Sequence, residues 1–463
     1  MIHEYGWLAM VPPLVVIILS VRLKMAFEAM LIGCLVGLIM LDGWGFFDGL
    51  IEALNKVLTN KDSVWVILVC GLYGSLMGLM VRSGGAMQFG ELMLRRIRNR
   101  RLALLGTWGL GGFVFLDDYL SALTVGITMR KITDQFGISR EKLAYITNAT
   151  AANICLLIPI STWALFISPQ LESAKIATEG QGLMTYISMI PFIAFSWIAV
   201  LVALFVALGI LPDWGAMRTA ENRAKNGQTI PSGIKIAQVT GLDIFDTTAK
   251  KSTAAYFLVP LFVLLIATVA FQDTTKAGIE IDALKGVMIG VAFTFIFLLL
   301  RRVATFQQLS ETVFSGFNSM IYALALLMLS LVLKDVCERM GLTNYVIAAV
   351  TPYVNAALMP LTIFVALSLI GYTTGSSWGL YVVAIPIAAS LATNTHGSVF
   401  ACVGAVISAG ALASNMCLYS DATVLTSQSC ETNNLEHHNS QLPYLLLTFG
   451  LTCIMYLIFG YFG

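Results

Sequence analysis

Charge is what this chain has least of. Its 463 residues include only 27 Lys+Arg and 26 Asp+Glu, 11% together, against about 25% in a typical soluble domain. So few charges cannot cover a soluble surface, which excludes a soluble enzyme and a disordered protein alike. A net charge of +1 supplies no basic stripe, so no nucleic-acid partner is expected. Eight cysteines occur without a CxxC, and Cys34, Cys70, Cys155, Cys402, Cys417 and Cys453 lie in apolar runs. Neither a disulfide frame nor a zinc knuckle is indicated. Met1 to Tyr5 carry no basic stretch ahead of the first apolar run, which therefore reads as a retained span rather than a cleaved signal. What is present is hydrophobic: 58% of all residues. The chain is a polytopic, all-α membrane protein whose surroundings are lipid.

Crossing about 30 Å of hydrocarbon takes roughly 20 helical residues. Apolar stretches near 6–21, 25–41, 63–82, 143–167, 184–211, 254–271, 284–300, 317–335, 397–418 and 443–462 read as spans, about 10 helices in all. Two more, 102–129 and 358–391, are interrupted by glycine and polar residues and read as re-entrant or broken helical hairpins. Broken backbone at membrane depth survives only where protein or a water-filled cavity satisfies it, so these two regions attract attention first. Segments 47–58 and 302–314 read as amphipathic, at matching places in the two halves. Arg95, Arg96, Arg98, Arg100 and Arg101, then Arg130, Lys131, Arg140 and Lys142, mark cytoplasmic loops, with both termini outside.

Stretch 212–252 carries Gly227, Pro231 and Gly233 and little periodicity, and reads as a cytoplasmic linker between a first repeat, 1–211, and a second, 253–463. Val11-Pro12 matches Val259-Pro260 at 248 residues; Gly33 matches Gly290, and Arg82–Gly84 matches Arg339–Gly341, at 257. Asn153–Leu156 matches Asn415–Leu418 at 262, and the broken regions correspond as 116–126 with 371–379. Five full crossings in the first half are an odd number, so the second half starts from the other side and the repeats are inverted. Inverted repeats with paired broken helices point to a secondary transporter with its site at the repeat interface.

Asp117 and Asp118 sit in an apolar, glycine-flanked stretch. A carboxylate there costs several kcal/mol unless paired, hydrated or protonated. Two adjacent carboxylates can hold a cation and a proton alternately, and one of them can also cap a half-helix. Asp421, with Ser420 and Thr423 beside it, offers a third carboxylate and hard hydroxyl oxygens suited to Na+; a solvated loop is the plainer reading. Asn148, Thr150, Asn153, Ser161 and Thr162 form the first half's polar set, although such residues also serve as helix–helix glue. Ser376 and Ser377 in the second broken region, with Asn415, complete the substrate-binding candidates, while Trp378 reads equally well as packing. Cys430, Glu436, His437 and His438 read as a short polar loop without metal-ligand spacing.

These residues resemble the NhaC family of Na+/H+ antiporters. The resemblance rests on Leu116–Tyr119 with Leu123–Gly126, Ile138–Tyr145, Thr150–Ala152, Pro159–Trp163, Gly375–Gly379, Ser420–Thr423 and Gln441–Tyr444, and covers nearly the whole chain. It implies Na+-coupled exchange against H+, no cofactor beyond the coupling ions, a homodimer, and a transport domain moving like an elevator in the inner membrane. The family's acidic and imidazole groups are missing at Ser414–Met416, and Asn153 stands where the family has proline. An uncharged Asn pair suits hydrogen bonding to an organic solute, so an amino-acid or small-carboxylate carrier is the alternative. A Na+ held by Asp118, Ser161 and Asp421 is the expectation, with Asp117, Ser420 and Thr423 sharing in coupling. An intramembrane aspartic protease is a remote alternative, because the tyrosine follows Asp118 where such proteases place it before the aspartate. A channel is another, and no filter ring is visible.

Overall fold

The computed structural model describes residues 5–23, 26–59, 61–85, 88–89, 92, 97–115, 117–159, 161–178, 180–231, 252–270, 272–273, 280–281, 283–342, 345, 355–375, 377–418 and 420–462. The first half holds α1 (Val11–Leu23), α2 (Ala26–Asp42), α3 (Phe46–Thr59), α4 (Lys61–Arg82), α5 (Arg100–Phe113), α6 (Asp118–Gln135) and α7 (Arg140–Leu157). It continues with α8 (Thr162–Ser173), α9 (Gly182–Met189) and α10 (Ala194–Leu208), and α11 (Gly215–Lys225) follows. The second half holds α12 (Ala255–Ala270), α13 (Ala283–Leu300), α14 (Phe306–Ser319), α15 (Ile321–Arg339) and α16 (Met359–Thr374). It ends with α17 (Ser377–Asn394), α18 (Val399–Met416), α19 (Asp421–Ser429) and α20 (Asn434–Phe462). A two-residue antiparallel ladder pairs β1 (Gln272–Asp273) with β2 (Glu280–Ile281).

Several expected spans are not straight. Among the described residues four helices are long and apolar enough to cross a membrane, or up to six when each bent pair counts as one. The expected span 143–167 is two helices, α7 and α8, bent by 50°. The cause is local: Ile158, in extended conformation at φ −110° and ψ 122°, precedes Pro159, which disfavours helical geometry there. The span 184–211 bends by 55° at Ile193, just after Pro191. The span 397–418 stops at Met416, and a short helix resumes at Asp421. The two interrupted regions are α5–α6 and α16–α17, with breaks before Asp118 and Ser377.

Helix registers recur along the chain. α6 and α17 are both 18 residues, as are α7 and α18, and each pair starts 259 residues apart, as do α8 and α19. Ser139 and Ser398 cap α7 and α18, and Ser161 and Ser420 cap α8 and α19. In this register Asn153 corresponds to Leu412 and Asn415 to Leu156, so the match at 262 residues is displaced by three, close to one helical turn. α3 and α14, each of 14 residues, present narrow buried stripes: Gly49, Ala53 and Val57 on one, Leu309, Thr312 and Gly316 on the other.

The buried side chains fall into three clusters. One joins α1, α2, α3 and α15 through Val16, Cys34, Val57 and Val332. The largest joins α4, α6, α7, α12, α13 and α14 through residues such as Leu76, Met129, Tyr145 and Leu264. The third joins α8, α10, α16, α17, α18 and α20. α4 and α14 cross backbone to backbone: a Cβ on Gly74 would lie 2.4 Å from the Gly316 carbonyl oxygen, and the reverse holds equally. Small residues permit such an approach between membrane helices.

The expected linker is partly helical. Met217, Ala220, Glu221 and Ala224 make a buried stripe on α11 at helical spacing, and this stripe faces α7 and α20. The charged run after Ser139 is buried around it. Glu221 accepts from the Ser139 backbone N–H (2.9 Å) and hydroxyl (2.7 Å) and pairs with Arg100 and, at 3.6 Å, with Lys142. Lys142 also reaches Asp213 at 2.6 Å, and Arg223 contacts both oxygens of Glu141 at 2.8 Å. Arg140 meets Asp134 at 2.7 Å and Glu431 at 3.3 Å, and Glu431 pairs with Arg130 as well.

Candidate substrate and ion site

Four helices begin close together, and side-chain contacts link them in a series. Asp117 is the N-cap of α6, and its Oδ1 accepts the Leu120 N–H at 2.9 Å. Its other oxygen accepts the Thr162 hydroxyl at 3.2 Å, joining α6 to the start of α8. Next to Thr162, Trp163 stacks on Trp378 at the start of α17, ring centroids 4.3 Å apart. Ser377 beside it donates to the Gly410 carbonyl (2.8 Å) and shares a 2.5 Å hydrogen bond with Ser414. The Ser414 carbonyl accepts Ser420 (2.7 Å) and Thr423 (3.1 Å), the cap and first turn of α19. Asp117 and Asp118 are 5% and 4% exposed, so carboxylates and helix starts share a dry interior. A small cavity of about 10 Å³, the size one water needs, lies beside Asp117 between Tyr73, Met77, Tyr119 and Met320.

The asparagines meet as well. Asn153 Nδ2 donates to Asn415 Oδ1 at 2.7 Å and to the Ala149 carbonyl at 3.0 Å. The Asn415 carbonyl accepts Asn148 Nδ2 (3.1 Å) and Gln441 Nε2 (2.7 Å), and Gln441 Oε1 accepts Asn148 Nδ2 at 3.1 Å. Among the described residues Asn153 Oδ1, Asn148 Oδ1, Asn415 Nδ2 and Trp163 Nε1 are buried without a hydrogen-bond partner. Natural interiors leave few such atoms, and an ordered water or an ion is the usual partner of one.

The structure thus brings together Asp117, Thr162, Ser377, Ser420, Thr423, Asn153 and Asn415 within this polar centre. Ser161 caps α8 and donates to the Cys155 carbonyl at 2.5 Å. Ser376 lies outside the described residues, and so does the side chain of Asp421, whose backbone opens α19. Thr150 bonds back to its own helix and packs where Gly111 has no side chain, the glue role rather than a ligand one. Gln441, Ser414 and Trp163 join the centre without having been expected there. Gln441 carries a usable signal: a lone amide two residues before Pro443, at the head of a long apolar run. The reading of Cys430 to His438 as a polar loop is corrected for its histidines. His437 and His438 lie on α20, whose helix starts at Asn434, ahead of the apolar run. His437 Nδ1 is 2.9 Å from the Ser427 hydroxyl, and His438 Nδ1 donates to the Met416 carbonyl at 2.8 Å.

Sequence comparison adds one decisive observation. The profile described as the Na+/H+ antiporter family matches residues 173–461, more than half of the chain. The chain belongs to the Na+/H+ antiporter family. It is a secondary transporter of the membrane, and the NhaC-type resemblance of its motifs is in agreement. An uncharacterized protein of Haemophilus influenzae is 27% identical over 98% of this antiporter-family chain and 91% of its own length. The fold is similar to that of the YdaH transporter of Alcanivorax borkumensis, a structure described as having an unusual topology. That likeness has a TM-score of 0.56 and 14% identity, and covers 90% of this chain and 88% of that one. It is also similar to MtrF of Neisseria gonorrhoeae, described within a class of antimetabolite efflux pumps. There the TM-score is 0.51 with 11% identity, covering 90% of this chain and 84% of the other. At such identities the likeness concerns the fold alone.

Proposed function

We propose that this family member is an inner-membrane antiporter that exchanges Na+ against H+ by elevator-type alternating access. The observation that carries the reading is the pair of buried carboxylates, Asp117 and Asp118, where broken helices meet. At the C-terminal end of α7 the Cys155 carbonyl accepts the Ser161 hydroxyl, and a helix C-terminus is favourable to a cation. A carboxylate that binds Na+ only when deprotonated makes the two ions compete, and competition for one group in each access state is what couples their fluxes. Asp421, with Ser420 and Thr423, supplies the third carboxylate of the reading, and Na+ near Asp118, Ser161 and Asp421 is its working geometry. The 259-residue recurrence of helix registers supports two repeats, which we take as inverted, with both termini outside. The close crossing of α4 with α14 supports a scaffold against which the broken helices travel; a homodimer is what the family resemblance implies.

One observation favours a second reading, Na+-coupled carriage of an amino acid or small carboxylate. The unpartnered acceptor Asn153 Oδ1 and donors Asn415 Nδ2 and Trp163 Nε1 match a small polar solute better than a bare ion. Proteoliposomes with an imposed Na+ gradient and an internal pH dye distinguish the two. A Na+-driven pH change without added solute, lost in Asp118→Asn, supports ion exchange. Silence until an amino acid or hydroxy acid is added replaces it with the carrier reading.

A further inference from the structure

The register that recurs at 259 residues pairs α6 with α17 and α8 with α19. Two helix contacts therefore correspond, α6 with α19 and α17 with α8, yet they are built differently. α6 and α19 end at one face, beside Arg140, which meets Asp134 near the end of α6 and Glu431 just past α19. These two helices pack closely: Gly126 leaves no room for a Cβ against Ser429, whose hydroxyl donates to the Ala122 carbonyl at 2.9 Å. α7 starts at Arg140 and runs away from this face, and α8 continues it after a 50° bend, so α8 ends at the opposite face. α17 ends beside it. A cavity of about 480 Å³ lies between the two ends, lined by Lys175, Ile176, Ser390, Thr393, Asn394 and Phe400 among others.

The inner ends of α8 and α17 are shut by rings. Trp163 and Trp378 stack at 4.3 Å, Phe166 stands edge-on to Trp378 at 4.5 Å, and Tyr381 stands edge-on to Trp163 at 5.5 Å. All four are buried. Directly beside the stack is the polar centre, where Thr162 donates to Asp117 and Ser377 bonds to Ser414. Ser390 on the cavity wall lies twelve residues beyond Trp378, about 18 Å along a helix. The rings thus stand between the cavity and the polar centre, in the groove that α8 and α17 form. Stacked rings exclude water by the area they bury. Trp163 Nε1 has no hydrogen-bond partner among the described residues, so turning this ring aside breaks no hydrogen bond there, and water entering the groove would supply one.

We propose that water and cargo reach the polar centre through the groove between α8 and α17, and that the Trp163–Trp378 stack is the gate that closes it. The tight α6–α19 contact closes the corresponding path on the Arg140 face in the same state. The proposal rests on the chain being a transporter and holds for either cargo considered above.

Cys155 serves as a reporter behind the gate. It is fully buried in the same cluster as Trp163 and Trp378, and close enough to Asp118 and Asp117 for their charges to act on it. The test uses the full-length protein with the other seven of its eight cysteines replaced by serine or alanine, and a small, water-soluble methanethiosulfonate. Reaction of Cys155 is expected to be slow, and to quicken about tenfold or more in Trp378→Ala. Phe364→Ala removes a buried ring of the same cluster that stacks on Phe449 instead, and should change the rate by less than about twofold. An equal rise in both variants, or a rise in neither, overturns the gate. A second measurement keeps the rings intact. Thr393→Cys, at an exposed position on the cavity wall, is first alkylated with a bulky maleimide, which should slow the Cys155 reaction several-fold. No slowing overturns the route. Neither measurement reads transport, so failure of the ion-exchange reading leaves both outcomes interpretable.

Discussion

Asn153 on α7 donates its side-chain amide to Asn415 on α18 at 2.7 Å, although the two residues lie 262 positions apart. Both are fully buried, and each keeps a polar atom without a hydrogen-bond partner among the described residues. Asn415→Leu therefore removes one of the two acceptors of the Asn153 amide, leaving it the Ala149 carbonyl, and should lower stability by about 1–3 kcal/mol. The double variant Asn153→Leu/Asn415→Leu should cost less than the sum of the two single changes. Heat unfolding of the detergent-purified protein measures this. Strict additivity would mean that the amide contact contributes nothing.

Asp117 has two tasks that substitution can separate. As the cap of α6 it accepts the Leu120 N–H, and Asn performs that task about as well as Asp. Asp117→Asn should keep the thermal midpoint near that of the unmodified protein while abolishing Na+-driven pH changes in vesicles. Asp117→Ala should lose exchange and also about 1 kcal/mol of stability. Full exchange in the Asn variant would leave Asp117 as a cap only.

Packing of α4 on α14 depends on two glycines. Gly74→Ala drives a methyl group to 2.4 Å from the Gly316 carbonyl oxygen, so the helices must part, at about 1–3 kcal/mol. Gly109→Ala, where a Cβ meets nothing within 4 Å, is the control and should be neutral or slightly stabilising. Equal midpoints for the two variants would show that the α4–α14 crossing yields readily.

Ion pairs in this protein should differ sharply in weight. Glu221, 1% exposed in its side chain, faces Arg100 and Lys142, whereas Lys56, 69% exposed, faces Asp335. Glu221→Ala leaves the buried Ser139 N–H and hydroxyl without their acceptor, while Lys142 keeps Asp213, and should cost about 1–3 kcal/mol. Lys56→Ala should cost about 0–1 kcal/mol. The ranking of unfolding midpoints decides it, and a Glu221 variant as stable as the Lys56 one would mean that α11 contributes little to holding α7.

Much of this protein is legible in its sequence. Asp117 and Asp118 stand out because an ionic group in an apolar run carries a cost that no distant residue needs to explain. Breaks at Pro159 and Pro191 also have local causes, although each proline sits inside an apolar run long enough to pass for one continuous span. The break after Met416 has no proline, and nothing near it in sequence announces it. The charged run at Arg140–Lys142 reads as a loop by composition, yet it forms the first turn of α7 with its side chains buried, because α11 and Glu431 bring opposite charges to them.

Composition and hydropathy were enough to fix the solvent, the helices and the few polar groups that membrane depth makes expensive, since each follows from the cost of transferring a residue out of water. Which partners meet that cost was settled only by the packing of distant helices. Gln441 and Asn148 reach the Asn415 carbonyl from positions 26 and 267 residues away, and Trp163 finds Trp378 from the other half of the chain. A hydrogen bond depends on a distance of about 3 Å and a direction, and sequence spacing beyond one helix specifies neither.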